Sequence, residues 1–177
     1  MNPKMAKETY QLRSGVAISP EQDKEFHRLL GELLPKLPAR FILLVDVAGQ
    51  VVLAKGDHNQ VNLVMLGSLV AGDLAASQEI ARLTGEYQDY QVILREGERS
   101  HMFISEAGHY LALLVQVDND VPLGWARMLI QQTAQQLADV MATAVAVPEE
   151  FKLSLYEEDE GDLSDLFSDA LDDMWTE

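Results

Sequence analysis

The chain has 177 residues, of which 47% are hydrophobic, and it carries a formal net charge of −16. This length is enough to bury one core without a metal or disulfide staple, and the absence of cysteine excludes a disulfide framework, a thiolate metal site and a cysteine nucleophile. The acidic charge argues against nucleic acid or an anionic lipid surface as the main partner, because both demand a basic surface.

The charge is concentrated near the C-terminal end. Residues 149–177 contain twelve acidic residues and one basic residue, Lys152, which leaves a net charge of −5 on residues 1–148. This segment, which we call the acidic tail, therefore differs in its electrostatics from the rest of the chain. The first residues lack the apolar run of a signal peptide, and no uninterrupted apolar stretch is long enough to span a bilayer. The sequence predicts a soluble cytoplasmic protein without direct membrane insertion.

The first predicted helix has a clear start signal. Residues 1–18 show no sustained period and predict a flexible N-terminal arm. After them, Ser19 offers an N-cap hydroxyl, Pro20 suits the first helical position, and Gln22 is placed to close a capping box. Leucines then recur at helical spacing. The helix is predicted to end at two prolines, Pro35 and Pro38.

Short apolar runs rich in β-branched residues predict five strands. These runs are 41–46, 50–54, 90–95, 100–106 and 109–117. A helical stretch over about 62–84 separates the first two strands from the last three, and Pro122 opens a final helix over about 123–146. The order α-β-β-α-β-β-β-α predicts an α/β fold of the α+β kind, with a five-stranded antiparallel sheet and flanking helices.

The predicted domain spans 19–147 and is followed by two acidic segments. Residues 148–161 are predicted to form an acidic linker, and residues 162–177 an amphipathic acidic helix. Wound as a helix, this last segment separates an apolar half from an acidic half, but a helix so short is marginal alone in water. We expect it to lay its apolar face into a partner's groove with a basic rim; the alternative is docking on this protein's own dimer. The predicted contact residues are Leu163, Leu166, Phe167, Leu171, Met174 and Trp175.

The middle helix carries more apolar surface than one sheet face needs. Its large apolar side chains cover more than half of its circumference, and the remaining arc carries two rows of small residues at a spacing of four. Glycine in a helix lowers stability by about 1 kcal/mol relative to alanine, which indicates a packing requirement. That requirement is either a neighbouring helix, most simply its own copy across a twofold axis, or close contact with this chain's own sheet. The two rows are Gly67, Ala71 and Ala75, and Ser68, Gly72 and Ala76.

Motifs that carry chemistry are missing from the sequence. Neither GxxxxGK[ST] nor GxGxxG occurs, and the serine in LGSLVAG does not fit GxSxG. The four histidines lack ligand spacing. Around Gly161, Tyr156 and Phe167 stand where an EF-hand loop requires oxygen ligands. We therefore expect no metal, no cofactor and no catalytic residue, and predict that the protein is not an enzyme.

Three stretches, in order, carry a resemblance to a known family. They are SLVAGDLAASQEIARLTGE at 68–86, REGE at 95–98 and PLGWARM at 122–128. Together with the element order, they make the chain similar to the roadblock (dynein light chain) family and to its bacterial MglB-type branch. The likeness covers about residues 20–145. The acidic tail lies outside it.

The resemblance implies a homodimer in which the long middle helices pack side by side and the third strands join two sheets into one. On this basis the dimer interface contains the two rows of small residues together with Tyr90, Val92 and Leu94 of the third strand. The resemblance also implies that the dimer binds a Ras-like small GTPase and stimulates GTP hydrolysis by reorganising the GTPase's own residues. An arginine finger from this chain is the less favoured alternative, with four candidates, Arg82, Arg95, Arg99 and Arg127.

The leading hypothesis is a homodimeric regulator or scaffold that binds a Ras-like small GTPase, with the C-terminal helix engaging a further, unknown partner. Two alternatives stay open. One is a purely structural dimeric adaptor of a larger complex, without effect on GTP turnover. The other is a small-ligand sensor, because sheets of this general kind also host pockets.

Overall fold

A computed structural model describes residues 9–86 and 91–142 of the chain. The three helices of this part are α1 (Pro20–Lys36), α2 (Leu63–Thr84) and α3 (Leu123–Ala142). Its seven strands are β1 (Tyr10–Gln11), β2 (Ala17–Ile18), β3 (Ala39–Asp46), β4 (Val51–Gly56), β5 (Val92–Glu96), β6 (Ser100–Ala107) and β7 (Leu111–Asp118). The predicted linker over 148–161 and the predicted helix over 162–177 lie outside the described residues.

Five of the strands form one antiparallel sheet in the order β4-β3-β7-β6-β5. The central pair, β3 and β7, runs in register from Phe41 opposite Gln116 to Asp46 opposite Leu111. The predicted five-stranded antiparallel sheet with flanking helices is therefore confirmed. The predicted helix and strand order is also confirmed, with one addition, since β1 and β2 precede α1 as a separate two-stranded hairpin.

Alternation along the strands divides the interior into two cores, one on each face of the sheet. On β3, Ile42 and Leu44 point into the core under α1 and α3, whereas Leu43 and Val45 point into the core under α2. The central strands are apolar on both faces because both faces are covered. Of the three described helices, α1 and α3 therefore lie on one side of the sheet and α2 lies on the other.

Helix α1 begins where its capping signal predicts. The Ser19 hydroxyl accepts a hydrogen bond from the Gln22 backbone N–H at 3.3 Å, and the Gln22 side-chain oxygen accepts one from the Ser19 backbone N–H at 2.8 Å. Both bonds satisfy amides that a helix start otherwise leaves unpaired. Pro35 lies inside the last turn, and the helix ends one residue later at Lys36.

The N-terminal hairpin differs from the flexible arm predicted over 1–18. Residues 10–18 fold back as β1 and β2, and they bury Leu12 and Ile18 in the same core as α1 and α3. The Tyr10 hydroxyl donates to the Asp23 carboxylate at 3.2 Å. Burial, the nearby Asp23 charge and this hydrogen bond together raise the pKa of Tyr10. Strands of two residues have no period to detect, so the pattern of the sequence alone did not reveal them.

A buried carboxylate fastens the hairpin to the turn between β3 and β4. Asp46 is fully buried and accepts hydrogen bonds from the backbone N–H groups of Ser14 at 3.0 Å and Gln50 at 2.7 Å. The Gln50 side chain in turn accepts from the Arg13 backbone N–H at 2.8 Å. These bonds satisfy three backbone amides and compensate for burial of the carboxylate. The hairpin is thus part of the domain.

Candidate functional site

Most of the apolar surface of α2 faces away from the sheet. The helix begins at an Asn62 cap, which accepts a hydrogen bond from the Met65 backbone N–H at 3.1 Å, and it ends at Gly85 in the left-handed conformation. Only four of its residues are buried, namely Gly67, Val70, Leu74 and Ala81. Five large apolar side chains are between 62% and 79% exposed, namely Val64, Met65, Leu69, Ile80 and Leu83. The protomer alone does not use this surface for folding.

The two predicted rows of small residues serve different purposes in the protomer. Gly67 is buried, and a Cβ at this position would stand 2.6 Å from the carbonyl oxygen of Gly49. Close contact within this chain therefore explains Gly67, and we remove it from the expected dimer interface as a correction. A Cβ at Gly72, by contrast, meets nothing within 4 Å among the described residues. No packing within the described protomer requires a glycine there.

Of the remaining small residues, one lies half-buried at the side of α2 and the others lie on its exposed surface. Ala71 is half-buried, and Ala75 is exposed. The second row is exposed throughout and lies among the large apolar side chains of the same face. We define the α2 outer face by Met65, Ser68, Leu69, Gly72, Ala76, Ile80 and Leu83. Large side chains flanking a row of small ones leave a channel into which a second helix can pack closely.

Strand β5 forms an edge of the sheet beside α2. It pairs with β6 on one side, and no described strand pairs with its other side. Val92 and Leu94 are half-buried and point toward the core under α1 and α3. An unpaired edge presents N–H and C=O groups that can accept a further strand. The predicted interface residue Tyr90 lies outside the described residues, as do the six predicted contact residues of the tail.

A groove of about 450 Å³ separates α2 from strands β5 and β6. Its walls are mainly apolar and include Leu66, Leu69 and Met102. At its mouth the Arg95 guanidinium donates to both carboxylate oxygens of Asp73, at 2.8 and 2.9 Å. The sequence did not reveal this pair, because the two residues lie 22 positions apart on different elements. The arginine side chain is largely exposed, so the pair contributes at most about 1 kcal/mol to stability.

The other three arginine-finger candidates, Arg82, Arg99 and Arg127, are exposed residues of the protomer surface. Arg82 pairs with Glu79 one turn earlier on α2. The backbone carbonyl of Arg99 accepts a hydrogen bond from the Asn119 backbone N–H at 3.4 Å, and Arg127 lies exposed on α3. Within the described part of the chain, no group of three or more histidine, aspartate or glutamate side chains could hold a metal ion.

Helix α2 is also long and apolar enough, by length and composition, to cross a bilayer. Its buried residues nevertheless pack against the sheet, and Asp73, Glu79 and Arg82 interrupt its apolar sequence. A helix whose apolar face packs against another protein can satisfy the same test of length and apolar composition. The hydropathy of α2 therefore includes an apolar face that the described protomer leaves largely exposed.

A sheet covered on both faces, with one helix that exposes an apolar face beside an open strand edge, defines an α+β protein-binding module. Solved structures with this fold include the gliding protein MglB from Thermus thermophilus, which is 32% identical with a TM-score of 0.60, over 70% of this chain and 91% of that one. The chain belongs to the roadblock family, in its MglB-type branch.

Two further structures agree with this assignment. An MglB described as having a tetrameric arrangement is 30% identical with a TM-score of 0.62, over 70% of this chain and 93% of that one. Myxococcus xanthus MglB is 26% identical with a TM-score of 0.63, over 67% and 96%. A scan against family models and a search of curated proteins find no match.

Proposed function

We propose that this protein is a cytoplasmic homodimeric regulator that binds a Ras-like small GTPase and stimulates its GTP hydrolysis. The observation that carries the proposal is the α2 outer face, an exposed apolar helix surface next to the open edge of β5. Apolar side chains as large as Leu69 and Ile80 gain about 1.5–3 kcal/mol each when they leave water. A soluble protein therefore needs a partner for this face.

The first partner is a second copy of the chain. Two α2 helices related by a twofold axis bring the rows of Ser68, Gly72 and Ala76 together, and the absence of large side chains lets the backbones approach closely. The β5 edges of the two copies lie beside the helices and can join two sheets into one. The dimer interface then contains Ser68, Ala71, Gly72, Ala75 and Ala76 of α2 with Tyr90, Val92 and Leu94.

The second partner is the GTPase. Family membership supports binding of a GTPase. Two of the four arginine-finger candidates, Arg82 and Arg95, form ion pairs with Glu79 and Asp73. These pairs favour a mode of action in which this chain supplies no arginine finger. Phosphoryl transfer is accelerated by positioning and charge stabilisation. A dimer that orders a mobile loop of the GTPase supplies positioning without touching the phosphate. No residue of this chain then acts as a catalytic residue.

Hydrolysis rates test the proposal. The purified protein is mixed with Ras-like GTPases of its host, each loaded with GTP, a GTP analogue or GDP. We expect preferential binding of the GTP form and faster phosphate release. Leu69→Asp places a charge in the α2 interface and should abolish both effects, whereas Val47→Asp makes a similar change at an exposed turn residue and should preserve them. Equal affinity for the GTP-bound and GDP-bound forms, with an unchanged rate of GTP hydrolysis, would instead indicate a structural adaptor.

The C-terminal segment forms a separate part of the proposal. Its apolar and acidic halves suit a groove with a basic rim on a further partner. Deletion of residues 157–177 should weaken binding of that partner and leave the melting temperature nearly unchanged. A large fall in melting temperature with unchanged binding would show that the segment belongs to this protein's own core.

A further inference from the structure

Two polar side-chain contacts tie α2 to the strands β5 and β6. The Arg95 guanidinium of β5 donates to both carboxylate oxygens of Asp73 on α2, at 2.8 and 2.9 Å. One and a half turns further along the helix, the Gln78 side-chain amide donates to the Glu106 carboxylate of β6 at 2.7 Å. Hydrogen bonds require a defined distance and angle between the two groups. These bonds therefore fix where α2 lies over this side of the sheet.

Apolar packing does less to position the helix at the same place. Val70 and Leu74, the two large buried residues of α2, share a core with residues of the central strands β3 and β7. Between the helix and strands β5 and β6 lies the groove of about 450 Å³. Close packing resists displacement of an element, whereas an open groove does not. The spacing between α2 and β5 therefore depends mainly on the bond of Asp73 to Arg95.

The burial of this pair is uneven. The Asp73 side chain is 25% exposed and the Arg95 side chain 62%, whereas both partners of the pair of Arg28 with Glu25 on α1 are more than 40% exposed. Partly buried charges are screened by solvent ions much less than fully exposed ones. The Arg28 pair also joins residues one turn apart on a single helix, so it cannot position that helix. The Asp73 pair joins a helix to a strand.

The two elements that the pair joins are the two that the proposed dimer uses. A second copy has to contact the α2 outer face and the β5 edge at the same time, and strands pair only at a separation of about 4.8 Å. Ser68, Leu69 and Gly72 belong both to the groove wall and to the α2 outer face. A change in the width of the groove therefore moves the outer face relative to the strand edge.

We infer that Asp73 and Arg95 are positioning residues, which hold the α2 outer face and the β5 edge at the spacing that a second copy needs to bind both. The inference rests on the dimer of the proposed function and adds how each protomer is prepared for it. Loss of the pair leaves the fold intact, because an ion pair with an exposed partner contributes little to stability. It removes preorganisation, which lowers the free-energy cost of association.

Neutral substitutions in the full chain test the inference by analytical ultracentrifugation. Asp73→Asn and Arg95→Gln each remove the ion pair, but they change the net charge in opposite directions. If the pair acts by positioning, both variants should raise the dissociation constant of the dimer by about tenfold. If only charge matters in a chain of net charge −16, Asp73→Asn should tighten the dimer and Arg95→Gln should weaken it.

A double variant and two controls complete the cycle. Asp73→Asn with Arg95→Gln should match either single variant, because the second substitution removes nothing that the first has left in place. Glu25→Gln and Arg28→Gln make the same charge changes in the exposed pair on α1, on the opposite side of the sheet, and should dimerise as wild type does. Circular dichroism of every variant should match that of the wild type.

Spin labels measure the spacing itself. Because the chain contains no cysteine, Glu79→Cys with Glu96→Cys places two nitroxide labels at exposed positions of α2 and β5. Labelled chains diluted into unlabelled ones report the distance within one protomer. Adding Asp73→Asn should broaden or shift the distance distribution, whereas adding Glu25→Gln should leave it unchanged.

Three outcomes would overturn the inference. They are effects of opposite sign, or no effect, for the two neutral substitutions; a double variant whose effect is the sum of the single ones; and a distance distribution that Asp73→Asn leaves unchanged. A wild-type mass of one chain at every concentration would contradict the proposed dimer instead, so the two failures are distinguishable.

Discussion

The carbonyl oxygen of Gly49 lies 2.6 Å from the point where a Cβ on Gly67 would stand. Gly49 itself adopts the left-handed conformation that the turn between β3 and β4 requires, and a Cβ on it would lie 2.7 Å from the Cα of Ser68. The turn and the first half of α2 therefore approach each other through two glycines. This contact sets how the N-terminal half of α2 lies on the sheet.

Gly67→Ala should destabilise the protein, because the turn has to move to admit a methyl group. Overpacking costs about 1–3 kcal/mol, which exceeds the gain of about 1 kcal/mol from replacing glycine by alanine in a helix. Gly72→Ala in the same helix meets open space in the protomer. Thermal and urea unfolding of the two variants at equal concentration check this difference. Equal stability of the two variants would show that the Gly49 contact is not a constraint.

Gly72→Ala also reports on the dimer. The methyl group should stabilise the isolated helix by up to about 1 kcal/mol, but it narrows the channel between Leu69 and Ile80 of the α2 outer face. We expect a higher dissociation constant of the dimer together with an unchanged or more helical protomer. Analytical ultracentrifugation with circular dichroism measures both quantities, and tighter dimerisation would contradict close helix packing at this position.

Asp46→Ala should cost about 2–4 kcal/mol of stability, because the backbone N–H groups of Ser14 and Gln50 lose a buried acceptor. Hydrogen exchange should show the loss first at residues 12–16, which hold the hairpin against the turn. Asp120→Ala removes the same charge from an exposed loop and should change stability by about 0.5 kcal/mol or less. A similar effect of both variants would mean that the Asp46 bonds contribute nothing specific.

The hairpin should loosen at alkaline pH. The pKa of Tyr10 is raised in the folded state, so its neutral hydroxyl stabilises the fold below the ordinary tyrosine pKa of about 10, and that contribution is lost as pH rises beyond it. Tyr10→Phe removes the hydroxyl and its bond to Asp23. The variant should be less stable than wild type by about 1 kcal/mol near pH 8. This difference in the free energy of unfolding should shrink above about pH 10. A difference that does not change with pH would contradict the raised pKa of Tyr10.

Local signals in the sequence were sufficient for the helix starts and the sheet. The bonds between Ser19 and Gln22 form within four residues, so the capping pattern identifies them directly. The excess of apolar residues on α2 also predicted correctly that one sheet face does not use them all. The hairpin of β1 and β2 escaped detection because Asp46 and Gln50, more than thirty positions away, hold it in place.

The small residues of α2 show why the site was harder to predict than the fold. Gly67 and Gly72 are equivalent in composition and lie on neighbouring rows, yet one meets the Gly49 turn and the other meets open space. Only the direction in which each residue points, set by packing of α2 on the sheet, separates them.

Light scattering of the wild-type protein at low micromolar concentration measures whether two copies associate, and everything proposed for the α2 outer face requires a second copy. We expect a mass of two chains at low concentration, and a mass of one chain for Leu69→Asp under the same conditions. A wild-type mass of one chain, unchanged when the protein is concentrated, would contradict it.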